Sequence, residues 1–207
     1  AVYGSWGCGY CRRCALGMEN YCEHQTEIGA YGGGLGLDGG MAAFMVVHPR
    51  HLVPLRDLAP VEAAPLTDAG LTPYHAVKRS LELLVPGSTA VVIGAGGLGH
   101  MAVQILTALS PAMVVAVDQS PGALELARDA GAVHGVFAGA SAADEIRDLT
   151  KGRGAELVLD VVGADATLAL GAAVPRPLGH LTLVGLAGGT IPFSFFSQAY
   201  EVSLATT

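Results

Sequence analysis

The four cysteines of the chain lie together in one short segment that could bind a metal ion. Residues 7–22 have the sequence GCGYCRRCALGMENYC, and no other thiol occurs among the 207 residues. Thiol groups this close together form disulfides, iron–sulfur clusters or zinc sites. The candidate metal ligands are Cys8, Cys11, Cys14 and Cys22.

The spacing of these cysteines favours a structural zinc site. Disulfides suit small secreted domains, but the first residues, AVYGSWGCGY, lack the charged and apolar regions of a signal peptide. Ferredoxin-type runs end in a closely spaced fourth cysteine followed by proline, whereas here seven residues separate Cys14 from Cys22 and Glu23 follows. Four thiolates fill the coordination sphere of zinc, so such a site would stabilise a loop without performing chemistry. Reduced cysteines in a loop remain the alternative.

A glycine-rich turn in the second half of the chain has the G-x-G-x-x-G spacing of dinucleotide-binding proteins. It follows an apolar run, residues 90–93, that predicts a buried strand, and it precedes a predicted helix that reaches about residue 109. The first glycine permits the tight turn, the second lets pyrophosphate approach the backbone, and the third lets helix and strand pack closely. Free N–H groups at the helix N-terminus would bind the phosphates. The candidate cofactor-binding residues here are Gly94, Gly96, Gly97, Leu98 and Gly99.

An acidic residue ends the next predicted strand, residues 113–118. Asp118 follows Gly99 by nineteen residues, where an acid can bind the ribose hydroxyls of a dinucleotide. Its charge would repel a 2′-phosphate, and Gln119 supplies no arginine to receive one. The sequence therefore predicts NAD rather than NADP. The alternative role for Asp118 is to cap the helix that starts near Pro121.

Strands and helices continue to alternate along the rest of the chain. Strands are predicted over residues 131–137, 155–163, 179–186 and 201–207, and helices over 121–132, 142–150 and 164–174. The alternation predicts an α/β fold, a Rossmann-type doubly wound parallel sheet. Because ligands bind at the carboxyl ends of such strands, the ends of the fourth and fifth strands are candidate cofactor contacts, unless they are ordinary turns. These residues are Val162, Gly163, Val184, Gly185 and Leu186.

The segment that joins the cysteines to the glycine turn gives weaker signals. Residues 41–47, MAAFMVV, resemble a strand, and residues 61–84 predict a helical region broken near Thr72 and Pro73. By residue type alone, Asp68 is a turn residue or a helix N-cap. The histidines show no ligand pairing, so we interpret them as surface or packed residues.

The composition limits the partners and the location of the chain. The net charge of −7 has no compensating basic stripe, so we expect no nucleic-acid partner. No apolar run reaches the ~18–20 residues of a membrane-spanning helix, so we expect no membrane association. Reduced thiols without an export signal favour the cytoplasm. The chain begins with Ala1 and not with methionine, which we interpret as a start partway through a longer protein.

Taken in order, these motifs resemble those of the zinc-dependent medium-chain alcohol dehydrogenases along the whole chain. The similar segments are GCGYCRRCALGMENYC, DGGMAAFMVV, APLTDAGLTPYHAV, VVIGAGGLGHMAVQ, AVDQSPGALELARDAGA and LDVVGADATL. The resemblance implies a structural zinc on the four cysteines, NAD on the glycine turn and Asp118, and oxidation of alcohols to aldehydes or ketones. It implies that residues 1–75 are part of a mainly-β, GroES-like catalytic domain and that residues 76–207 are an NAD-binding domain truncated after its sixth strand. It also implies a homodimer or homotetramer of the full-length protein.

The resemblance further implies roles for two residues of the joining segment. Asp68 stands where the family places the third ligand of its catalytic zinc, and Thr72 where a residue packs against the nicotinamide. The other two ligands, a cysteine and a histidine, belong before the cysteine segment, and the seven residues that precede Cys8 contain neither. Because a catalytic zinc needs three protein ligands, we expect these 207 residues alone to be inactive. The alternatives are a silent module that binds NAD and structural zinc, and a related dehydrogenase of polyols or amino-acid alcohols.

Overall fold

The chain divides into two units, Ala1–Asp68 and Ala69–Thr207. The computed structural model describes residues 1–191 and 193–207. The domain boundary predicted after residue 75 lies inside a helix near the start of the second unit, Leu71–Arg79.

The first unit contains little regular secondary structure. Its longest helices are single turns and its two strands, which pair with each other, have two residues each. The α-helices and strands are α1 (Arg12–Ala15), α2 (Gln25–Ile28), β1 (Gly32–Gly33), β2 (Gly36–Leu37) and α3 (Pro60–Ala63), and 3-10 helices cover Glu19–Tyr21, Pro49–His51 and Ala64–Thr67. The buried cysteines form a small cluster of their own, against which Ile28 packs. The cysteine segment therefore forms a small buried cluster within this unit.

The strand predicted over residues 41–47 is wrong, because this segment has no strand structure. Its large apolar side chains, Met41, Phe44 and Val46, are almost fully exposed. A strand is stabilised by the neighbour with which it pairs, and an apolar sequence cannot supply that neighbour by itself.

The second unit alternates helices and strands as predicted. After α4 (Leu71–Arg79) and a 3-10 helix (Leu81–Leu83), the elements are β3 (Thr89–Ile93), α5 (Gly97–Leu109), β4 (Met113–Asp118), α6 (Pro121–Asp129), β5 (His134–Phe137), α7 (Ala142–Leu149), β6 (Ala155–Asp160), α8 (Asp165–Ala173), β7 (Pro175–Leu183) and β8 (Ser203–Thr206). No helix in the described part of the chain combines the length and the apolar character needed to cross a membrane.

The six strands of the second unit form one parallel sheet in the order β5-β4-β3-β6-β7-β8. Each predicted strand corresponds to one of them, which confirms the α/β Rossmann-type fold. The chain moves outward from β3 through β4 to β5 and then returns to pair β6 with the other side of β3. This reversal creates the switch point at which such sheets bind ligands. All five residues of β3 are buried, so the glycine turn starts from the centre of the core.

The break in the helical region lies earlier than predicted. Residues between Thr67 and Leu71 separate the 3-10 helix from α4, whereas Pro73 lies inside α4 as its third residue. The first turn of a helix has N–H groups without intrahelical partners, so proline is tolerated there. Pro73 therefore marks the start of the helix and not its interruption.

Candidate cofactor and metal sites

The four cysteines, which we call the cysteine lobe (residues 7–22), bring their sulfur atoms together. All four Sγ atoms lie within 4.8 Å of one another, and none is in a disulfide. The Sγ atoms of Cys8 and Cys14 are 3.9 Å apart. Zinc–sulfur bonds of about 2.3 Å in a tetrahedron place the sulfurs ~3.8 Å apart, so this donor set fits a zinc ion.

Backbone N–H groups in the lobe point at the sulfur atoms. Such donors favour the thiolate form that a metal requires. Backbone N–H groups donate to cysteine Sγ atoms: Cys8 to Cys22 at 3.3 Å, Cys11 to Cys8 at 3.3 Å, Cys14 to Cys11 at 3.4 Å, and His24 to Cys22 at 3.4 Å. A Cβ atom on Gly7 would lie 2.5 Å from the Sγ of Cys14, so glycine is needed for the lobe to close.

The thiols of the lobe differ in acidity. The N–H groups of Cys14 and Glu23 lower the pKa of Cys11 to about 6, whereas burial raises the pKa of Cys14 to about 12. Metal ions bind thiolates, so a metal must displace the proton of Cys14 and its uptake releases protons.

The glycine turn combines close packing with open space. Gly94 has a φ of +91°, and a Cβ atom there would lie 2.6 Å from Val162 Cγ2. A Cβ atom on Gly99 would overlap the carbonyl oxygen of Gly94. In contrast, a Cβ atom placed on Gly96 or Gly97 would meet no atom within 4 Å beyond those of the adjacent backbone. The turn is thus tight where it packs on the sheet and open at the N-terminus of α5, where an anion can approach the N–H groups.

Asp118 lies beside the glycine turn, at the end of β4. Its Oδ2 accepts a hydrogen bond from the N–H of Ala95 at 2.7 Å, and its Oδ1 accepts one from Ser120 at 2.8 Å. The cap of α6 is Ser120, whose Oγ accepts from Ala123, so Asp118 does not cap this helix. A carboxylate has about four acceptor positions, which leaves room for further donors.

The ends of β6 and β7 approach each other closely. A Cβ atom on Gly185 would overlap the backbone of Val162, and Gly163 has a φ of +76°. Val184 is buried, whereas Leu186 is almost fully exposed. Val162, Gly163, Val184, Gly185 and Leu186 therefore all lie at the carboxyl edge of the sheet, as expected for ends of parallel strands.

Asp160 joins these two strand ends and was missed by sequence reasoning. The side chain is fully buried, and its Oδ1 accepts hydrogen bonds from the N–H groups of Val162 and Gly163, both at 2.9 Å. Its backbone oxygen accepts from Val184 and Gly185. Its Oδ2 has no hydrogen-bond partner among the described residues. An acidic residue inside the apolar run AELVLDVVG was the signal that could have identified it.

Asp68 and Thr72 occupy the two sides of the division between the units. Asp68 is exposed and follows the 3-10 helix Ala64–Thr67, and Thr72 is half-buried in the first turn of α4. Among residues 1–191 and 193–207, the cysteine lobe is the only group of three or more histidine, cysteine or acidic side chains whose ligand atoms converge. Asp68 is not part of such a group there.

Comparisons with known sequences match both units to one family. Residues 97–204 match the sequence model of the zinc-binding dehydrogenase family, and residues 1–57 match that of the alcohol dehydrogenase GroES-like domain. An NAD-dependent alcohol dehydrogenase of Sulfurisphaera tokodaii is 40% identical over 190 residues, 90% of this chain and 53% of that protein. A D-arabinose 1-dehydrogenase (NADP(+)) of Saccharolobus solfataricus is 36% identical over 203 residues, 96% of this chain and 56% of that protein. The chain thus spans about half the length of these curated relatives.

Solved structures give the same result. The alcohol dehydrogenase of the hyperthermophilic archaeon Aeropyrum pernix superposes with a TM-score of 0.88 at 36% identity, over 99% of this chain and 59% of that one. The zinc-binding dehydrogenase model alone covers more than half of the chain. The chain therefore belongs to the zinc-dependent medium-chain alcohol dehydrogenase family.

Proposed function

We propose that this chain is the cofactor-binding part of an NAD-dependent dehydrogenase that oxidises an alcohol to an aldehyde or a ketone. The observation that carries the proposal is the open turn at Gly96, which lies between the N-terminus of α5 and the carboxylate of Asp118. The similarity to the NAD-dependent alcohol dehydrogenase of S. tokodaii over 90% of the chain supports it.

In this proposal the glycine turn binds the pyrophosphate of NAD, and Asp118 binds its adenosine ribose. Gly96 and Gly97 leave space for the phosphates, and the first N–H groups of α5, including that of Leu98, donate hydrogen bonds to them. Gly94 and Gly99 maintain the shape of the turn. Asp118 accepts hydrogen bonds from the ribose hydroxyls, because its two backbone partners leave acceptor positions free.

The ends of β6 and β7 provide the remaining cofactor contacts. Val162 and Gly163 follow β6, and Val184, Gly185 and Leu186 follow β7, at the side of the switch point away from Asp118. The exposed Leu186 offers an apolar surface to a flat ring. Asp160 positions both strand ends through their backbone N–H groups.

The four cysteines hold a structural zinc ion in a GroES-like part of the catalytic domain, and the second unit is the NAD-binding domain. The convergence of the four sulfurs and the N–H groups directed at them support this assignment. Free thiols that act as ligands persist in a reducing compartment, so the proposal places the protein in the cytoplasm.

Asp68 contributes a carboxylate ligand to a catalytic zinc ion in the complete enzyme, and Thr72 packs near the nicotinamide. When bound, zinc supplies a Lewis acid for the substrate oxygen, and NAD supplies the hydride acceptor. Such a zinc needs three protein ligands, and the described residues bring together no ligand group other than the cysteine lobe. We therefore propose that these 207 residues bind NAD but do not oxidise alcohols by themselves.

A second candidate substrate class is a sugar or another polyol. The D-arabinose 1-dehydrogenase (NADP(+)) of S. solfataricus, 36% identical over 96% of this chain, favours it. This relative uses NADP according to its name, whereas Asp118 in the present chain favours NAD. Cofactor preference and substrate class therefore need separate tests.

Exchange of the charge beside the ribose is expected to change the cofactor preference. In Asp118→Asn combined with Gln119→Arg, an oxygen acceptor for the N–H of Ala95 remains, but the charge that repels a 2′-phosphate is replaced by a cation. Loss of one charge-assisted hydrogen bond of about 1.5–3 kcal/mol weakens NAD binding by about 10- to 100-fold. Calorimetric titration with NAD and NADP measures both effects. Asp129→Asn, which removes an exposed carboxylate at the end of α6, should leave both affinities unchanged, and equal NAD affinity in the double variant would contradict the role of Asp118.

The edge strand β8 is proposed to pair with a second copy of the protein. It lies at the end of the sheet, and its pairing partner in the described sheet is β7. Phe195, Phe196 and Tyr200, which precede it, are exposed. Open strand edges invite pairing with another chain, so we propose a homodimer or a homotetramer.

The proposed function is tested with the purified 207-residue chain. We expect it to contain one zinc ion per chain, to bind NAD in a calorimetric titration, and to form no NADH from ethanol or propan-2-ol with added zinc. Absence of NAD binding by folded protein would reject the dehydrogenase proposal. Zinc-dependent NADH formation would instead reject the proposal that these residues are inactive alone.

A further inference from the structure

A guanidinium group from a distant part of the first unit lies against the cysteine lobe. Arg50 belongs to the 3-10 helix Pro49–His51, 31 residues beyond Glu19 of the lobe. A Cβ atom placed on Gly9, between the first two cysteines, would overlap Arg50 Nη1 and lie 3.1 Å from its Cζ. The guanidinium therefore fills the space that a side chain at position 9 would occupy.

A glutamate of the lobe holds Arg50 in this position, and a histidine lies beside the same carboxylate. Its Nη2 forms an ion pair with Oε1 of Glu19, which is 8% exposed and lies between Cys14 and Cys22. The other carboxylate oxygen of Glu19 is 3.1 Å from Nδ1 of His51. A single buried carboxylate thus pairs with Arg50 and lies beside the ring of His51, the next residue of the Pro49–His51 helix.

The ring of His51 is itself fixed in place. It is buried and stacks on Trp6 with ring centroids 5.0 Å apart and an angle of 12° between the planes. The indole Nε1 of Trp6 donates to the carbonyl oxygen of Tyr3 at 2.7 Å. The Pro49–His51 helix is therefore anchored through His51, the residue next to Arg50, which restricts where the guanidinium can go.

A cation such as the guanidinium of Arg50 would offset the negative charge of the metal-loaded lobe. Four thiolates around a divalent zinc ion carry a net charge of −2, and the buried carboxylate of Glu19 adds another negative charge. Backbone N–H groups offset part of this charge as dipoles, but they carry no net charge. Arg50 donates a hydrogen bond to Glu19, and this bond raises the pKa of Arg50, to which the charges of Cys14 and Cys8 add.

We propose that Arg50 is the counter-ion of the four-cysteine metal centre, and that Glu19 and His51 position it there. The inference rests on the proposed structural zinc site and adds a residue that controls how tightly the lobe retains its metal. Residues that surround the ligands of a metal typically change its affinity by about 10- to 100-fold. Arg50 acts through its charge, so lysine at this position retains most of the effect.

The test measures zinc affinity of the 207-residue chain by competition with a chromophoric chelator. Arg50→Gln is expected to weaken zinc binding by about 10- to 100-fold, and Arg50→Lys to recover most of the loss. Arg12→Gln is the matched control, because Arg12 is an exposed cation of the lobe whose side chain forms no ion pair among the described residues. Wild-type affinity in Arg50→Gln, or equal loss in the glutamine and lysine variants, would overturn the proposal.

A second pair of variants keeps the test decisive if Arg50→Gln does not fold. Gly9→Ala leaves Arg50 in the sequence but displaces its guanidinium, and Gly17→Ala is the control. Both glycines have a positive φ, +89° and +73°, but no atom lies within 4 Å of a Cβ at Gly17. Weaker zinc binding in Gly9→Ala than in Gly17→Ala supports the counter-ion, and equal affinities overturn it. If the wild-type chain itself binds no zinc, the proposed zinc site is wrong. If the wild-type chain binds zinc but the Arg50 and Gly9 variants bind it equally well, only the role of Arg50 is wrong.

Discussion

Replacement of Gly96 by valine is expected to eliminate most NAD binding while the chain remains folded. A Cβ at this position meets no non-neighbouring atom within 4 Å, and the φ of −72° lies outside the left-handed region that favours glycine, so the folded protein has space for a side chain here. It would, however, occupy the space in front of α5 where the pyrophosphate must lie. Loss of two hydrogen bonds to a charged group, each worth at least about 1.5 kcal/mol, weakens binding by about 100-fold or more. Calorimetric titration and thermal unfolding measure the two properties separately.

Two other glycines provide controls for this result. Gly139 is exposed after β5, two strands away from β3, and a Cβ there also meets no atom within 4 Å, so Gly139→Val should leave NAD affinity intact. Gly99→Ala should lower the unfolding temperature as well as NAD affinity, because its Cβ overlaps the Gly94 carbonyl oxygen. Unchanged NAD affinity in folded Gly96→Val would show that the nucleotide does not use this turn.

Replacement of Cys14 by serine is expected to remove zinc from the cysteine lobe. Cys14 is buried, and its Sγ lies 3.9 Å from that of Cys8, so a hydroxyl at this position would face the ion in place of a thiolate. Substitutions in the shell around metal ligands already cost about 10- to 100-fold in affinity, and loss of a ligand should cost more. The measurement is zinc per chain after dialysis, together with the rate of proteolysis within residues 8–22.

Removal of the metal from the wild-type chain should reproduce the effect of Cys14→Ser. Among the residues that the structure describes, Ile28 is the one apolar side chain from outside the lobe that packs against its cysteines, so chelation should expose the lobe to protease. Ala15→Ser, an exposed substitution on the same short helix, is the control and should retain zinc. A full complement of zinc in Cys14→Ser would rule out the four-thiolate site.

The sequence predicted the second unit well because its signals are local. Residues 113–118 were predicted as a strand and form β4 with the same limits, since a run of apolar and β-branched residues is typical of a strand buried on both faces. The G-x-G-x-x-G spacing likewise marked the turn, because each glycine is required by its own immediate neighbours. The parallel order followed from the alternation of strands and helices.

The first unit and two buried acids could not be predicted in the same way. Residues 41–47 have a strand-like composition, but pairing depends on a neighbour that the pattern does not specify. Glu19 and Arg50 are 31 residues apart, so no local spacing joins them. Asp160 stands out in the sequence as an acid at the end of an apolar run, but its contacts with two separate loops appear only when β6 and β7 are side by side.

The position of Gly94 directly after the fully buried strand β3 has a consequence for the thermodynamics of ligand association. A loop that leaves the innermost strand, and is tied to β4 through the bond from Gly94 N–H to Val117, loses its conformational entropy when the protein folds. A nucleotide that enters it meets a preorganised surface and need not order the backbone itself. The free energy of its contacts is then available for affinity.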